Sequence, residues 1–81
     1  MSIELEDLAF AMPIQKAHLL LTLSIAISLV ECGVKPPKAI ALAQEIFPSE
    51  LPFGCDLSRL GSLEEMCRCH YEVGLLINQW T

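Results

Sequence analysis

The sequence predicts a single all-α domain over residues 1–81, with four short helices in an orthogonal or bundle-like arrangement around one central apolar helix. Two observations support this prediction. The stretch from Leu19 to Val30 contains no charged residue, no proline and no glycine, which is typical of a buried helix. Three other segments space their apolar residues three and four positions apart, and prolines and glycines separate the segments from one another.

The central segment, residues 17–32, has the sequence AHLLLTLSIAISLVEC and would be apolar on every side of a helix. Such a helix belongs in a protein core or in a membrane. About 20 apolar residues are needed to span a bilayer, whereas Gln15, Lys16, His18 and Glu31 bracket this shorter stretch. The pattern therefore favours a soluble core helix, which Gly33 would end in a left-handed conformation.

The segments on either side of the central helix have amphipathic patterns. Residues 1–12 begin with Ser2, a good N-cap, and Pro13 would end this first helix and start the next. Its shared apolar face would contain Leu5, Leu8, Ala9 and Met12. The third helix would begin at Lys35-Pro36-Pro37 and end at Phe47-Pro48. Its predicted apolar stripe contains Ala39, Leu42, Ala43 and Ile46.

The last helix has the best local signal in the chain. Ser62 and Glu65 have the spacing of a capping box, after a connecting loop and one possible helical turn within residues 56–61. The apolar side of this helix is predicted to contain Leu63, Met66, Cys69, His70, Val73, Ile77 and Trp80. Charged residues at positions 64, 68 and 72 would form the opposite side.

The balance of acidic and basic residues indicates which binding partners and which cellular location to expect. Ten acidic residues against five basic ones give a net charge of −5, which opposes binding to nucleic acid and to anionic lipid. Acidic residues precede the central helix, where an export signal has basic ones. We therefore expect a cytoplasmic protein whose four cysteines are reduced.

The segment Cys67-Arg68-Cys69-His70 is the main candidate for chemistry. Structural zinc sites need converging ligand pairs, and a one-residue gap on a helix makes two cysteine side chains diverge. We expect Cys69 and His70 to be core residues instead, with one hydrogen-bond partner for the His70 ring. No nucleophile with an adjacent base and no phosphate-binding loop is evident. The sequence therefore predicts no catalytic residue, no cofactor and no metal.

Residues 28–43 resemble a helix-turn-helix, with Gly33-Val34 in the turn and Ala39 and Leu42 in the second helix. In that motif the second helix must present hydrogen-bond donors to the bases and phosphates of DNA. The residues presented here would be Pro37, Lys38, Ile40, Ala41 and Gln44. Most of these side chains cannot donate, so DNA binding is the alternative hypothesis and not the first one.

Two sets of residues are candidates for protein contacts. Tyr71 and Leu75 would lie on the otherwise polar side of the last helix, in a partner-binding surface with Arg68 and Asn78. On the central helix, one apolar face should pack inside the protomer: Leu19, Leu23, Ala26 and Val30. A second row of residues on this helix, the predicted dimer seam, would then contact the same row on a second copy of the chain in a homodimer: Leu20, Ser24, Ile27, Ser28 and Glu31.

These patterns favour a small acidic, non-catalytic regulator of the inhibitor, anti-activator or chaperone type, which acts by occupying the surface of another protein. A helix-turn-helix regulator that binds DNA is the first alternative. A small membrane-associated protein is the second, because the central helix is so apolar.

Overall fold

The computed structural model describes residues 12–48 and 57–78, and every regular element in these two ranges is helical. Helix α1 spans Pro13–Glu31, α2 spans Pro36–Ile46 and α3 spans Leu63–Asn78, with a short 3₁₀ helix at Leu57–Arg59 before α3. The predicted all-α class is confirmed. The predicted helix at residues 1–12 lies outside the described residues apart from Met12, and so does the loop at 49–56.

Helix α1 is the centre of the fold because it packs against both α2 and α3. It begins at Pro13, as the sequence predicts, because proline suits the first helical turn, where its missing N–H has no intrahelical partner. The backbone N–H of Met12 donates to Oε1 of Gln15 at 3.0 Å, which satisfies the donor just outside the helix.

The end of α1 depends on Gly33, as the sequence predicts. Gly33 has a φ of 103°, a left-handed conformation that side chains disfavour. The turn lets the N–H of Gly33 donate to the carbonyl of Val30 at 2.9 Å, and the N–H of Val34 donate to the carbonyl of Leu29 at 3.0 Å. These bonds satisfy carbonyl groups that the helix leaves open, and the chain reverses into α2.

Replacing Gly33 by Ala is expected to lower the free energy of unfolding by about 1 to 2 kcal/mol, because the added side chain strains a left-handed backbone. No atom lies within 4 Å of a Cβ added at Gly33 or at Gly74, so steric clashes affect neither substitution. Gly74 lies inside α3, and Gly74→Ala should raise the free energy of unfolding by about 0.5 to 1 kcal/mol. Urea unfolding measures both changes, and a Gly33→Ala variant as stable as the parent would contradict the assignment of this turn.

The core lies between one side of α1 and the inner faces of the other helices. Leu19, Leu23 and Ala26 are buried there as predicted, whereas Val30 is half-buried and packs against the same cluster. The remaining buried members come from the rest of the described chain: Ala39, Ile40, Ala43, Leu57, Leu60, Met66, Cys69 and Val73. All three α-helices thus contribute to one cluster.

The buried residues of α2 differ from the predicted apolar stripe at two positions. Ile40, which the helix-turn-helix hypothesis places on the DNA-facing surface, is only 3% exposed and packs in the core. Ile46, predicted to be in the stripe, lies exposed at the last position of the helix. The buried side of α2 therefore consists of Ala39, Ile40 and Ala43.

Helix α3 begins as its sequence predicts. Oγ of Ser62 accepts a hydrogen bond from the backbone N–H of Glu65 at 3.2 Å and donates to Oε1 of the same glutamate at 3.4 Å. The helix then buries Met66, Cys69 and Val73. Leu63 and Ile77 are half-buried, and Trp80 lies outside the described residues.

Lys16 is buried, which is unexpected for a lysine. It is 2% exposed, although the sequence places it among the polar residues that bracket the apolar stretch. The other charged residue of α1 is Glu31, at the last position of the helix. Burial of Lys16 therefore leaves the solvent side of α1 without formal charge from Pro13 to Val30.

Candidate interaction surfaces

The outer side of α3 exposes an aromatic and an aliphatic side chain one turn apart. Tyr71 is 66% exposed and Leu75 is 45% exposed, and Arg68 and Asn78 are exposed at the adjoining helical positions. The buried side of α3 holds Met66, Cys69 and Val73. The structure thus leaves outside the core all four residues that the sequence predicts for partner binding. We call these four residues the α3 surface.

His70 lies between the buried side of α3 and α1, and its ring has a polar partner. Nε2 of His70 lies 2.9 Å from Oγ of Ser24, and the same hydroxyl group lies 2.9 Å from the carbonyl oxygen of Leu20. A carbonyl can only accept, so Ser24 donates to Leu20 and accepts the N–H of His70. This arrangement supplies the one hydrogen-bond partner that the sequence requires for a histidine at this position, and it joins α1 to α3.

The seam predicted for a homodimer lies beside α3 and is partly covered within the protomer. Leu20 and Ile27 are half-buried and pack against the core cluster, whereas the prediction left both to be covered by a second copy of the chain. Ser24 is bonded to His70. Ser28 and Glu31 are exposed. The protomer's own helices therefore partly cover the two large residues of the seam, and self-association through the seam stays a prediction.

The side of α1 that faces away from the core is open and uncharged. At 100° per residue, one strip of six positions follows this side: Ile14, Ala17, Leu21, Ile25, Ser28 and Cys32. We call this strip the α1 outer face. Ile14 is 56% exposed and Leu21 is 50% exposed, and Ser28 and Cys32 are exposed. Ala17 and Ile25 are half-buried, and Ile25 also packs against the edge of the core cluster.

The two halves of the α1 outer face differ in shape. The first half has the large exposed side chains of Ile14 and Leu21. The second half contains a shallow, mainly apolar groove of about 310 Å³, lined by Ser24, Ile25, Ser28, Leu29 and Cys32. The sequence did not predict this surface, because α1 is apolar on all sides and only the packing of α2 and α3 determines which side stays open.

Helix α1 also meets the requirements of length and composition for a membrane span, and it is one such helix within the described residues. A core helix of a soluble protein meets the same requirements. Its contacts with α2 and α3, and the burial of Lys16, are features of a helix packed within a protein.

The solvent side of α2 has few groups that could contact DNA. Its exposed residues are Pro37, Lys38, Ala41, Gln44, Glu45 and Ile46. Lys38 and Gln44 are the two side chains in this set that can donate a hydrogen bond, and Glu45 would repel phosphate. Two helices meet at the Gly33 turn, but the second presents a surface poorly suited to a DNA groove.

We expect weak or undetectable binding to DNA, because α2 lacks donors and the chain has a net charge of −5. An electrophoretic mobility shift on genomic fragments in about 0.15 M salt checks this expectation. Tight, sequence-dependent binding that Lys38→Ala and Gln44→Ala abolish would contradict it.

The cysteines and histidines that the structure describes do not converge on one point. Cys67 is exposed and Cys69 is buried, so the two side chains diverge as the one-residue gap predicts, and Cys55 lies outside the described residues. Within the described ranges, no group of three His, Cys, Asp or Glu side chains has the geometry to hold a metal ion. The ring of His18 packs edge-on against Phe47, with 5.5 Å between ring centroids and an interplanar angle of 80°.

Comparisons of the chain with family models, with curated proteins and with solved structures found no match.

Proposed function

We propose that this chain is a small acidic, non-catalytic regulator that binds another protein through the α3 surface, as an inhibitor, anti-activator or chaperone does. The single observation that supports this proposal most strongly is the exposure of Tyr71, 66% of whose surface is open to solvent on a helix whose other side buries Met66, Cys69 and Val73. Leu75 extends the apolar area by one turn.

The residue types of the α3 surface are those that protein interfaces favour. Tyrosine and arginine are enriched at binding hot spots, because they combine apolar area with polar groups. Tyr71 can insert its ring into an apolar pocket and donate its hydroxyl hydrogen, and Arg68 can pair with a carboxylate beside that pocket. The excess of acidic residues elsewhere on the chain would steer a partner of positive net charge toward it.

Replacing Tyr71 by Ala should weaken binding to the partner by about 30-fold or more, which is the loss typical of a hot-spot aromatic residue. Leu75→Ala should weaken binding by a smaller factor, because Leu75 has less exposed area to bury. Both variants should fold as the parent does, since neither side chain is part of the core. Affinity capture from the native host, followed by titration of the captured partner, measures these changes.

The matched control is Glu45→Ala, an exposed glutamate on α2, outside the α3 surface. It should leave partner binding unchanged within about twofold. If Tyr71→Ala and Glu45→Ala capture the same partner with equal affinity, the α3 surface is not the binding site.

A further inference from the structure

We infer that the α1 outer face binds a second copy of this chain, in an antiparallel two-fold contact whose axis passes between Leu21 and Ile25. This contact leaves the α3 surface to the partner protein and is independent of the function proposed for it.

The shape of the α1 outer face supports a second copy as the occupant. Reversing α1 about a point between Leu21 and Ile25 places Ile14 of each copy opposite Cys32 of the other, at the end of the groove. Ala17 then meets Ser28, and Leu21 meets Ile25. Ile14 thus meets the smaller Cys32 and Leu21 meets Ile25, both of which line the groove of the second half, twice across the two-fold axis.

The charge at the ends of α1 supports the antiparallel direction. The first turn has no acidic residue and the last turn has no basic residue, so neither end has side chains that complement the helix dipole. Glu31 is exposed at the carboxyl end, where the dipole of its own helix is unfavourable for a carboxylate. In the antiparallel pair Glu31 lies beside the amino end of the other copy, where a negative charge is favourable. A parallel pair would place Glu31 beside Glu31.

The absence of formal charge from Pro13 to Val30 on the solvent side of α1 allows this contact, because no charged group has to lose its water when two such faces meet. The small side chains at positions 17 and 28 permit close approach of the two backbones. An anionic bilayer is a poorer occupant, since the chain has a net charge of −5 and Glu31 lies at the edge of the face.

Disulfide trapping tests both the contact and its direction. In a chain with Cys55→Ser and Cys67→Ser, Cys32 is the exposed thiol within the described residues. Addition of Ile14→Cys should give a dimer with a disulfide between position 14 of one copy and position 32 of the other. Diamide is the oxidant: it oxidises the two thiols to the disulfide and is itself reduced to the hydrazine. Peptide mass mapping identifies the linked residues. The matched control adds Tyr71→Cys instead, which should give no 71–32 link.

Sedimentation at about 100 µM, a concentration suited to a weak two-helix contact, provides the second measurement. The parent should sediment as a dimer. Leu21→Asp should sediment as a folded monomer because Leu21 is half exposed, whereas Tyr71→Asp should remain a dimer. If Leu21→Asp fails to fold, Leu21→Ser replaces it with the same expected result.

Three outcomes would overturn the inference. The first is a parent chain that is monomeric, together with an Ile14→Cys variant that gives no 14–32 link. The second is a dimer that forms only 32–32 links, which requires a parallel contact. The third is a parent monomer that floats with phosphatidylcholine vesicles and loses this property in Leu21→Asp, which would assign the face to a bilayer. Loss of partner capture in Tyr71→Ala, with the dimer retained, would leave this inference standing and test only the function proposed for α3.

Discussion

Replacing Leu23 by Ala is expected to lower the free energy of unfolding by about 3 to 4 kcal/mol. Leu23 is fully buried in the cluster that α1 forms with α2 and α3, so truncation removes apolar contacts and leaves a cavity. A domain of this size has only about 5 kcal/mol or a little more of net stability. The variant should therefore be partly unfolded at 37 °C, and urea unfolding followed by circular dichroism measures the loss.

Leu21→Ala is the matched control, because it makes the same chemical change on the same helix two positions away. Leu21 is 50% exposed, so this substitution should lower the free energy of unfolding by less than about 1 kcal/mol. Equal losses at the two positions would show that α1 is rotated relative to the arrangement described above.

Replacing Ile40 by Asp should prevent stable folding. Ile40 is 3% exposed, and a carboxylate placed there would lose its water without gaining a partner, at a cost of several kcal/mol. Ala41→Asp, at the next and exposed position of α2, should fold as the parent does. Far-ultraviolet circular dichroism during a thermal scan distinguishes the two variants.

The same pair tests the helix-turn-helix hypothesis, which presents both Ile40 and Ala41 to DNA. If Ile40→Asp folds as stably as Ala41→Asp, Ile40 is on the surface as that hypothesis requires, and the core described here is wrong at α2.

Local signals predicted the positions of the helices. The charge-free stretch before Gly33 indicated α1, the prolines at 36 and 37 indicated the start of α2, and Ser62 with Glu65 indicated the start of α3. These signals are local because caps and glycine stops act on backbone groups within one turn. The helices were therefore predictable without knowledge of their neighbours.

The open side of α1 was not predictable from local pattern. Apolar residues surround the whole helix, so no period in the sequence distinguishes Leu23, which is buried, from Leu21, which is not. The packing of α2 and α3 makes this distinction. The same packing half-buries Leu20 and Ile27, the two large residues of the predicted dimer seam.

The polar groups inside the protein were a second feature that the sequence pattern did not predict. His70 needed a partner, but the bond to Ser24 joins residues 46 positions apart in the chain. Lys16 is buried although lysine is among the residue types least often found inside proteins. The α3 surface was predictable because α3 is strongly amphipathic, so that Tyr71 and Leu75 stand out on its polar side.

Photo-crosslinking in the native host tests whether the α3 surface binds another protein. A photoreactive phenylalanine analogue replaces Tyr71 in one variant and Glu45 in a second, so the probe occupies one exposed position on the α3 surface and one on α2. The probe at position 71 should link the chain to one other protein in stoichiometric amount, whereas the probe at position 45 should not. Equal adducts at both positions, or adducts at position 71 only with nucleic acid, would contradict binding of another protein by the α3 surface.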